Sequence, residues 1–333
     1  MIKILIYSDR SSNLLTKREL IWLNDYINKE KRNILSKLIA NHTDEISIDW
    51  DYVLIHGFNY KNIFFIANKF KESKIILLGG ANIGYGNKKD IEQIILKKFV
   101  EKYVDLIIVR SECHKQLLEE YISIPIYKFF DYEINFVEAP IRITNQKEVY
   151  TIGYHGNEKH FKEDFLCFGE DVLKQISKNH NIQLNIITSN AQYQPNLSNI
   201  KVNKIEFEVD NFYNEIDKFD VGICPIYSKE LELLNKDKII RNGNRAVTLL
   251  CRGIPSVISP TPQVISDLKD NEHVLYAVSE EEWYEGLNNL LSNSNLYNSI
   301  SEKGLELVKN KFSVENGYNI FEKIIFDFNI NHM

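Results

Sequence analysis

The stretch RNGNRAVTLLCRGIPSVIS, residues 241–259, places an Asn-Gly-Asn-Arg sequence ahead of an apolar run of helical period that stops at Gly-Ile-Pro. We expect a helix with Asn244 as its cap, because asparagine side chains accept hydrogen bonds from the first turn of a helix. The amides of that turn point outward with the positive end of the helix dipole. Gly243 lets a ligand approach the backbone closely. Such a helix start binds anions, phosphate above all.

Positively charged side chains cluster at this predicted helix start. Arg241 and Arg245 can donate bidentate hydrogen bonds to phosphate oxygens, and Lys238 adds a further positive charge. An ordinary capped helix with two solvated arginines explains the stretch equally well. The stretch alone therefore leaves the choice between a phosphate site and a surface helix open.

A second loop in the same half of the chain has a similar character. The segment YTIGYHGNEKHF, residues 150–161, runs from an apolar strand into His155, Gly156 and Asn157. A glycine turn here can lay main-chain amides against a diphosphate. His155 is a candidate donor to a phosphate or to a leaving-group oxygen, and a tight turn with a solvated histidine is the alternative. Two such loops in one half favour an anionic ligand.

Short β-branched runs alternate with longer segments of helical period, which predicts parallel strands joined by helices that cover both sheet faces. The predicted strands are 3–7, 52–55, 74–78, 105–109, 124–129, 150–154, 183–188, 201–207, 220–224, the end of the opening stretch, and 273–279. The predicted helices, besides the one in that stretch, are 16–40, 60–71, 88–103, 111–121, 161–178, 211–218, 280–291, 295–311 and 313–328. A polar segment without clear period, 135–149, divides the pattern in two. We therefore predict an α/β protein with two doubly wound, Rossmann-like parallel-sheet domains facing a cleft, and ligands beyond the carboxyl ends of the strands.

The composition narrows the class of protein further. The chain has 333 residues, 44% of them hydrophobic and 26% charged, which fits two soluble domains. We expect a cytoplasmic protein, because no apolar run has the length of a membrane span and the N-terminus MIKILIYSD does not resemble a signal peptide. The net charge of −6 argues against a nucleic-acid partner. The four cysteines lie far apart in apolar segments, so we expect structural thiols and no metal site: Cys113, Cys167, Cys224 and Cys251.

The order of TIGYHGN, FDVGICPIYSKELELLNKDK, NRAVTLLCRGIPSVIS and NKFSVENGYNIFEKI resembles the donor domain of bacterial sugar-nucleotide glycosyltransferases of the GT-B fold, in the group 1 or family 4-like superfamily. The resemblance covers residues 150–328. It implies an acceptor domain at 1–140, a donor domain at 141–312, and a last helix, 313–333, that crosses back to the first domain. The implied activity is transfer of a hexosyl or other glycosyl group from a nucleotide sugar to a surface-glycan acceptor, in lipopolysaccharide, capsule or a lipid-linked oligosaccharide.

By this resemblance the diphosphate of the donor lies against the loop after residue 154 and the start of the helix at 244. The nucleobase of the donor lies near Thr188. The implied donor-binding residues are Gly156, Asn157, Thr188, Lys238, Arg241, Asn244, Arg245 and Thr248. Fixed positive groups replace a divalent cation, so we expect no metal and no cofactor besides the nucleotide-sugar co-substrate. Many retaining members carry two glutamates eight residues apart where this chain has Ile240 and Thr248. Retaining chemistry therefore does not carry over, although Thr248 can still bond a ribose hydroxyl.

In the first half, three loops follow predicted strands, at residues 8–13, 56–59 and 79–87. Glycosyl transfer with inversion needs a general base near the acceptor hydroxyl, and Asp9 and His56 are the candidates, with His155 as a third catalytic candidate. A turn cap and a core-edge histidine are their ordinary explanations. The basic sequences KREL and NKEKRN near 16–40 suggest peripheral contact with anionic lipid at the inner membrane, or else a solvated helix face.

Three other functions stay open at this point. A sugar-nucleotide epimerase would use the same fold and no acceptor. A polyol-phosphate transferase would prefer a cytidine nucleotide. A non-catalytic partner subunit would bind a nucleotide sugar without turning it over, which the missing glutamates permit.

Overall fold

The computed structural model describes residues 1–8, 20–30, 33–39, 49–79, 90–130, 132–140, 147–189, 195–226 and 236–331. The chain divides into two compact units. One comprises Met1–Ile134 together with Phe312–Met333, and the other comprises Asn135–Lys311.

Strands and helices alternate along the described chain, as the hydrophobic pattern predicts. The strands are Ile2–Tyr7 (β1), Ile34–Ile39 (β2), Tyr52–His56 (β3), Lys74–Leu78 (β4), Leu106–Val109 (β5), Ile126–Lys128 (β6), Tyr150–His155 (β7), Ile182–Thr188 (β8), Lys201–Glu206 (β9), Val221–Cys224 (β10), Ser256–Ile258 (β11) and Leu275–Tyr276 (β12). The helices are Trp22–Glu30 (α1), Tyr60–Lys69 (α2), Asp90–Tyr103 (α3), Glu112–Glu119 (α4), Glu158–Asp164 (α5), Leu166–Ile176 (α6), Phe212–Ile216 (α7), Lys236–Ile239 (α8), Asn244–Leu250 (α9), Pro262–Asp267 (α10), Glu280–Ser292 (α11), Ser294–Lys311 (α12) and Val314–Asn331 (α13).

In the described part of the first unit, six parallel strands form a sheet in the order β2-β1-β3-β4-β5-β6. Strands β3, β4 and β5 are almost entirely buried, as expected for a parallel sheet with helices on both faces. The direction of winding changes between β1 and β3. Ligands of doubly wound sheets bind at the carboxyl ends of the strands that flank such a switch point, here after Tyr7 and after His56.

The prediction of one long helix over 16–40 is wrong. The described part of this region contains the shorter helix α1 and the edge strand β2, which pairs with β1 from Ile2↔Ile34 to Tyr7↔Ile39. Ser36 ties the two elements together, because its hydroxyl donates to the Asn24 side chain at 2.9 Å. A short apolar run is compatible with either periodicity, and only the pairing with β1 decides in favour of a strand.

The second unit contains a sheet that, in its described part, has the strand order β12-β11-β10-β7-β8-β9, again with parallel pairing. Its switch point lies between β7 and β10. At this point Gly153 pairs with Gly222. A Cβ atom on Gly222 would lie 2.2 Å from Leu249 Cδ1, so only glycine lets α9 pack directly on β10. This close packing holds α9 against the sheet at its switch point.

The predicted helix 161–178 is two helices in the structure, α5 and α6, which meet at Phe165.

The last helix, α13, packs within the first unit. There Phe321 contacts Phe129, with ring centroids 6.1 Å apart, and Phe328 contacts Tyr52, with ring centroids 6.3 Å apart. The apolar stripe of α13 is therefore buried against the first unit.

Candidate functional site

The turn after β7 is built around a glycine that no other residue replaces without strain. Gly156 has a φ of +143°, a conformation that L-residues with a side chain rarely adopt. A Cβ atom there would lie 2.9 Å from the Tyr154 hydroxyl oxygen. That hydroxyl donates a hydrogen bond to the carbonyl of Asn157 at 3.0 Å, which closes the turn. Asn157 then caps α5 by accepting from the amide of Lys159 at 2.8 Å.

Arg245 lies beside this turn. Its guanidinium carbon is 5.5 Å from the centre of the Tyr154 ring, and its NH1 donates to the Tyr154 hydroxyl at 3.3 Å. Its Cδ atom is 3.4 Å from the position that a Gly156 Cβ would take. Burial raises the pKa of Tyr154, and the charge of Arg245 opposes that rise. A positive charge thus lies next to the glycine turn at the carboxyl edge of β7.

The start of α9 differs from the prediction in one respect. Its N-cap is Gly243, and Asn244 is the first helical residue, so the expected side-chain cap by Asn244 is wrong. A Cβ atom on Gly243 would lie 3.2 Å from Leu268 Cδ1 and 3.4 Å from Val264 Cγ2, so a side chain at this position would crowd both residues. No side chain among the described residues caps this helix. No side-chain cap in the described part of the chain therefore accepts hydrogen bonds from the amides of the first turn of α9.

His155 connects the two loops. It is buried, and its Nε2–H donates to the main-chain carbonyl of Arg245 at 3.1 Å, since a carbonyl can only accept. The ring also packs against Phe212, with centroids 5.4 Å apart. In this arrangement Nε2 holds the backbone of Arg245 rather than pointing to an external phosphate.

A buried carboxylate that the sequence analysis did not single out holds the other two predicted cations. Asp164 is fully buried at the end of α5 and forms an ion pair with Lys238. Its second oxygen lies 3.3 Å from Arg241 NH1 and 3.5 Å from His160 Nδ1. Burial alone would raise the pKa of Asp164, but the hydrogen bonds from His160 and Lys238 and the charges of Lys238 and Arg241 lower it below its ordinary value. Lys238 and Arg241 are therefore partly neutralised, whereas Arg245 is not paired with Asp164. The i,i+4 spacing of His160 and Asp164 was the signal available in the sequence.

The two predicted threonines are both buried. Thr188 ends β8, and its hydroxyl has no hydrogen-bond partner among the described residues. Thr248 donates its hydroxyl to the carbonyl of Asn244 at 3.0 Å, within α9. Thr248 is fully buried, so as placed it does not present its hydroxyl to a ribose.

In the first unit, the switch point carries a polar pair. Ser8 Oγ and His56 Nδ1 lie 3.3 Å apart, within hydrogen-bond distance, and both residues are buried. Gly57 and Gly79 follow β3 and β4 with φ values of +76° and +104°, and nothing lies within 4 Å of a Cβ built on Gly57. Asp9, like most of the predicted loops 8–13 and 79–87, lies outside the described residues.

No protein-family model matches the chain, and no curated protein sequence matches it. Solved structures do. HepE from Anabaena, in a complex with UDP and glucose, has a TM-score of 0.71 at 9% identity, covering 98% of this chain and 100% of that one. Sucrose-phosphate synthase from Thermosynechococcus elongatus has a TM-score of 0.69 at 9% identity, covering 99% and 100%. A glycosyltransferase from Rickettsia africae has a TM-score of 0.67 at 14% identity, covering 98% of each chain.

These likenesses over the whole length define the class of fold. The chain has the GT-B glycosyltransferase fold, with one doubly wound parallel sheet in each unit, and the predicted α/β fold is confirmed. At such low identity the likeness establishes the fold alone. Among the described residues, no helix combines the length and the apolar character that crossing a bilayer requires.

Proposed function

We propose that this chain is a glycosyltransferase that moves a sugar from a nucleoside-diphosphate sugar to a hydroxyl of a surface-glycan or lipid-linked acceptor. The observation that carries the proposal is the Arg245 guanidinium beside the Gly156 turn, at the switch point of a GT-B sheet. Ligands of doubly wound sheets bind at this kind of position. The UDP in the HepE complex makes UDP the first nucleotide to test.

The proposed role of this site is to stabilise the leaving nucleoside diphosphate. Negative charge develops on the diphosphate as the glycosidic bond breaks, and fixed positive groups stabilise that charge without reorganisation. Arg245 would contact the diphosphate directly. Lys238 and Arg241, held by Asp164, would add a positive field from a fixed position. Metal independence remains a prediction, and transfer that persists in excess EDTA would support it.

His56 is the described candidate for the general base that an inverting transfer needs. It lies at the carboxyl end of β3, where doubly wound sheets bind ligands, and Ser8 is placed to orient its ring. Asp9 remains a second candidate base. For His155 we propose a positioning role, because its Nε2–H holds the Arg245 carbonyl.

Nucleotide binding is the first test. A ligand that binds only the folded state raises the melting temperature, so UDP, GDP, CDP, CMP and TDP are compared by thermal shift. We expect one diphosphate to stabilise the protein and Arg245→Ala to abolish that shift. Lys204→Ala, which removes an exposed lysine from β9 of the same unit, is the matched control and should leave the shift unchanged. An Arg245→Ala variant with a normal shift and normal turnover would refute the phosphate assignment.

A non-catalytic nucleotide-sugar-binding partner is the second candidate. Thr248 occupies a position where many retaining relatives carry a glutamate, and its hydroxyl is used inside α9. A partner subunit would show the diphosphate shift with neither donor hydrolysis nor transfer to any acceptor. Release of the free diphosphate on incubation with the nucleotide sugar would exclude it.

A further inference from the structure

The main chain of residues 241–245 is held from two sides. We call these residues the arginine segment, because Arg241 and Arg245 stand at its ends. Thr261 is 1% exposed, and its hydroxyl donates a hydrogen bond to the carbonyl of Arg241 at 2.7 Å. His155 donates to the carbonyl of Arg245 at 3.1 Å. Both ends of the arginine segment are therefore attached through their carbonyl oxygens.

The two attachments come from the two strands that flank β10. The described strand order around it is β11-β10-β7, and His155 ends β7, whereas Thr261 lies in the connection that follows β11. Ser259, in the same connection, accepts a hydrogen bond from the amide of Ile226 at 3.1 Å, shortly after the end of β10. The connection after β11 thus fixes two points at the carboxyl edge of the sheet, the chain leaving β10 and the start of the arginine segment.

The Thr261 hydroxyl makes two hydrogen bonds with different directions. It accepts from the amide of Val264 at 3.2 Å and thereby caps α10. Its hydrogen points to the carbonyl of Arg241, because a carbonyl oxygen can only accept. Serine at this position could supply both bonds. Valine has nearly the same shape as threonine and could supply neither, so it would leave a buried amide and a buried carbonyl without their partner.

The arginine segment has two properties that work against a single conformation. Burial lowers the pKa of Arg241, the charge of Asp164 opposes that change, and the charge of Arg245 adds to it, so the two guanidinium groups are close enough to repel each other. Gly243 lies between them, and glycine has more backbone freedom than any other residue. A segment of this kind adopts one conformation only when other parts of the fold hold it.

The side chains of the two arginines are held as well. Arg241 NH1 lies 3.3 Å from Asp164 Oδ2, and Arg245 NH1 donates to the Tyr154 hydroxyl at 3.3 Å. Each arginine is thus fixed both at its carbonyl and at its guanidinium group. A ligand that meets a site already in its binding conformation does not have to order that site, so its apparent affinity is higher.

We infer that Thr261 is a positioning residue, which fixes the main chain of the arginine segment before the ligand binds. The inference rests on the proposed function, because the ligand is the donor diphosphate of that proposal. Thr261 acts through Arg241 and does not touch the ligand itself. Its contribution is to the fraction of molecules in which the segment has its binding conformation.

UDP affinity and amide hydrogen exchange test the inference together on the full chain. Titration calorimetry gives the Kd for UDP, and hydrogen exchange without ligand gives the rate of opening of peptides that cover residues 241–250. We expect Thr261→Val to raise the Kd about fivefold or more, the effect of one lost hydrogen bond, and to speed exchange in these peptides. Thr261→Ser should restore both the affinity and the slow exchange.

Ser301→Ala is the matched control for a merely structural effect. Ser301 is fully buried on α12, and its hydroxyl donates to the carbonyl of Gly253, just beyond the other end of α9. Its replacement removes the same kind of bond from the same unit. We expect a melting temperature lowered by a few degrees, as for Thr261→Val, with the UDP affinity and the exchange of the arginine segment unchanged.

The possible failures are distinguishable. Equal UDP affinity of Thr261→Val and the wild type would overturn the inference while leaving the proposed function intact. So would a loss of affinity in Ser301→Ala as large as that in Thr261→Val, or a Thr261→Ser variant as weak as the valine variant. If the wild type bound none of the five nucleotides, the proposed function would fail and the positioning role with it. Slower exchange in the wild type than in Thr261→Val would then show only that Thr261 holds the main chain.

Discussion

Asp164→Asn removes the negative charge that holds Lys238 and Arg241 while keeping the size of the side chain. Asp164 is fully buried, and the Lys238 side chain is only 11% exposed. Removing one member of a buried ion pair typically costs 3–5 kcal/mol, because the remaining charge stays buried without compensation. The Arg241 side chain is 26% exposed and keeps part of its hydration. We therefore expect the lower limit, a loss of about 3 kcal/mol in the free energy of unfolding.

Urea denaturation followed by circular dichroism measures this loss, and thermal unfolding should show a drop of roughly 6–12 °C for a unit of this size. The pH dependence has a definite sign. Asp164 has a lowered pKa in the folded state, so its stabilising contribution is present above the ordinary value of 3.8 and is lost as the pH falls through the folded pKa. The difference in stability between wild type and variant should therefore narrow as the pH falls below about 3.8.

The control is Asp171→Asn on α6 of the same unit. Asp171 pairs with Lys174 at 3.3 Å, but its side chain is 79% exposed, so its replacement should change stability by less than about 1 kcal/mol. If Asp164→Asn lowered the free energy of unfolding by no more than this control does, Asp164 would not be an ionised carboxylate that stabilises the buried charges of Lys238 and Arg241. The proposed contribution of Lys238 and Arg241 to binding the diphosphate would then have no carboxylate that fixes their positions.

Three further predictions concern other parts of the molecule. Gly156→Ala should lower the free energy of unfolding by about 1–3 kcal/mol in urea titrations, because of its φ of +143° and the contact with Tyr154. Phe321→Ala, which empties a site that is 1% exposed beside Phe129, should cost about 3–5 kcal/mol and make the last helix more sensitive to limited proteolysis. If the proposed function holds, His56→Gln should reduce the rate of transfer by a factor on the order of 100 or more while the diphosphate thermal shift stays unchanged.

Each of these predictions has a result that contradicts it. An alanine at position 156 with wild-type stability would mean that the turn relaxes to a different backbone conformation. Wild-type protease resistance after Phe321→Ala would mean that α13 is held by other contacts, such as the hydrogen bond from Tyr52 to Asn329. Undiminished transfer by His56→Gln would move the role of base to Asp9 or to another residue.

The candidate site was only partly predictable. The sequence singled out Gly156 and Arg245 as candidates, because a glycine after a strand and an arginine at a helix start are local features, and the structure places the two residues side by side. It did not show that Lys238 and Arg241 share Asp164, since this pairing joins residues more than 70 positions apart. It also placed the helix cap at Asn244 rather than Gly243, because local pattern leaves the first residue of a helix uncertain by one or two positions.

By itself, the sequence determined most of the alternation of strands and helices and the two parallel sheets, because burial on both faces of a parallel sheet produces apolar runs that local periodicity reveals. The GT-B fold was implied by the family resemblance of residues 150–328 and is confirmed by the solved structures. Only the tertiary structure decided that residues 34–39 form an edge strand, that His155 holds the backbone of Arg245, and that Asp164 partly neutralises two of the three cations. Those outcomes depend on which elements become neighbours in space. Contacts between distant parts of the chain fix the register, hydrogen bonding and charge state of these residues, and local pattern carries no information about them.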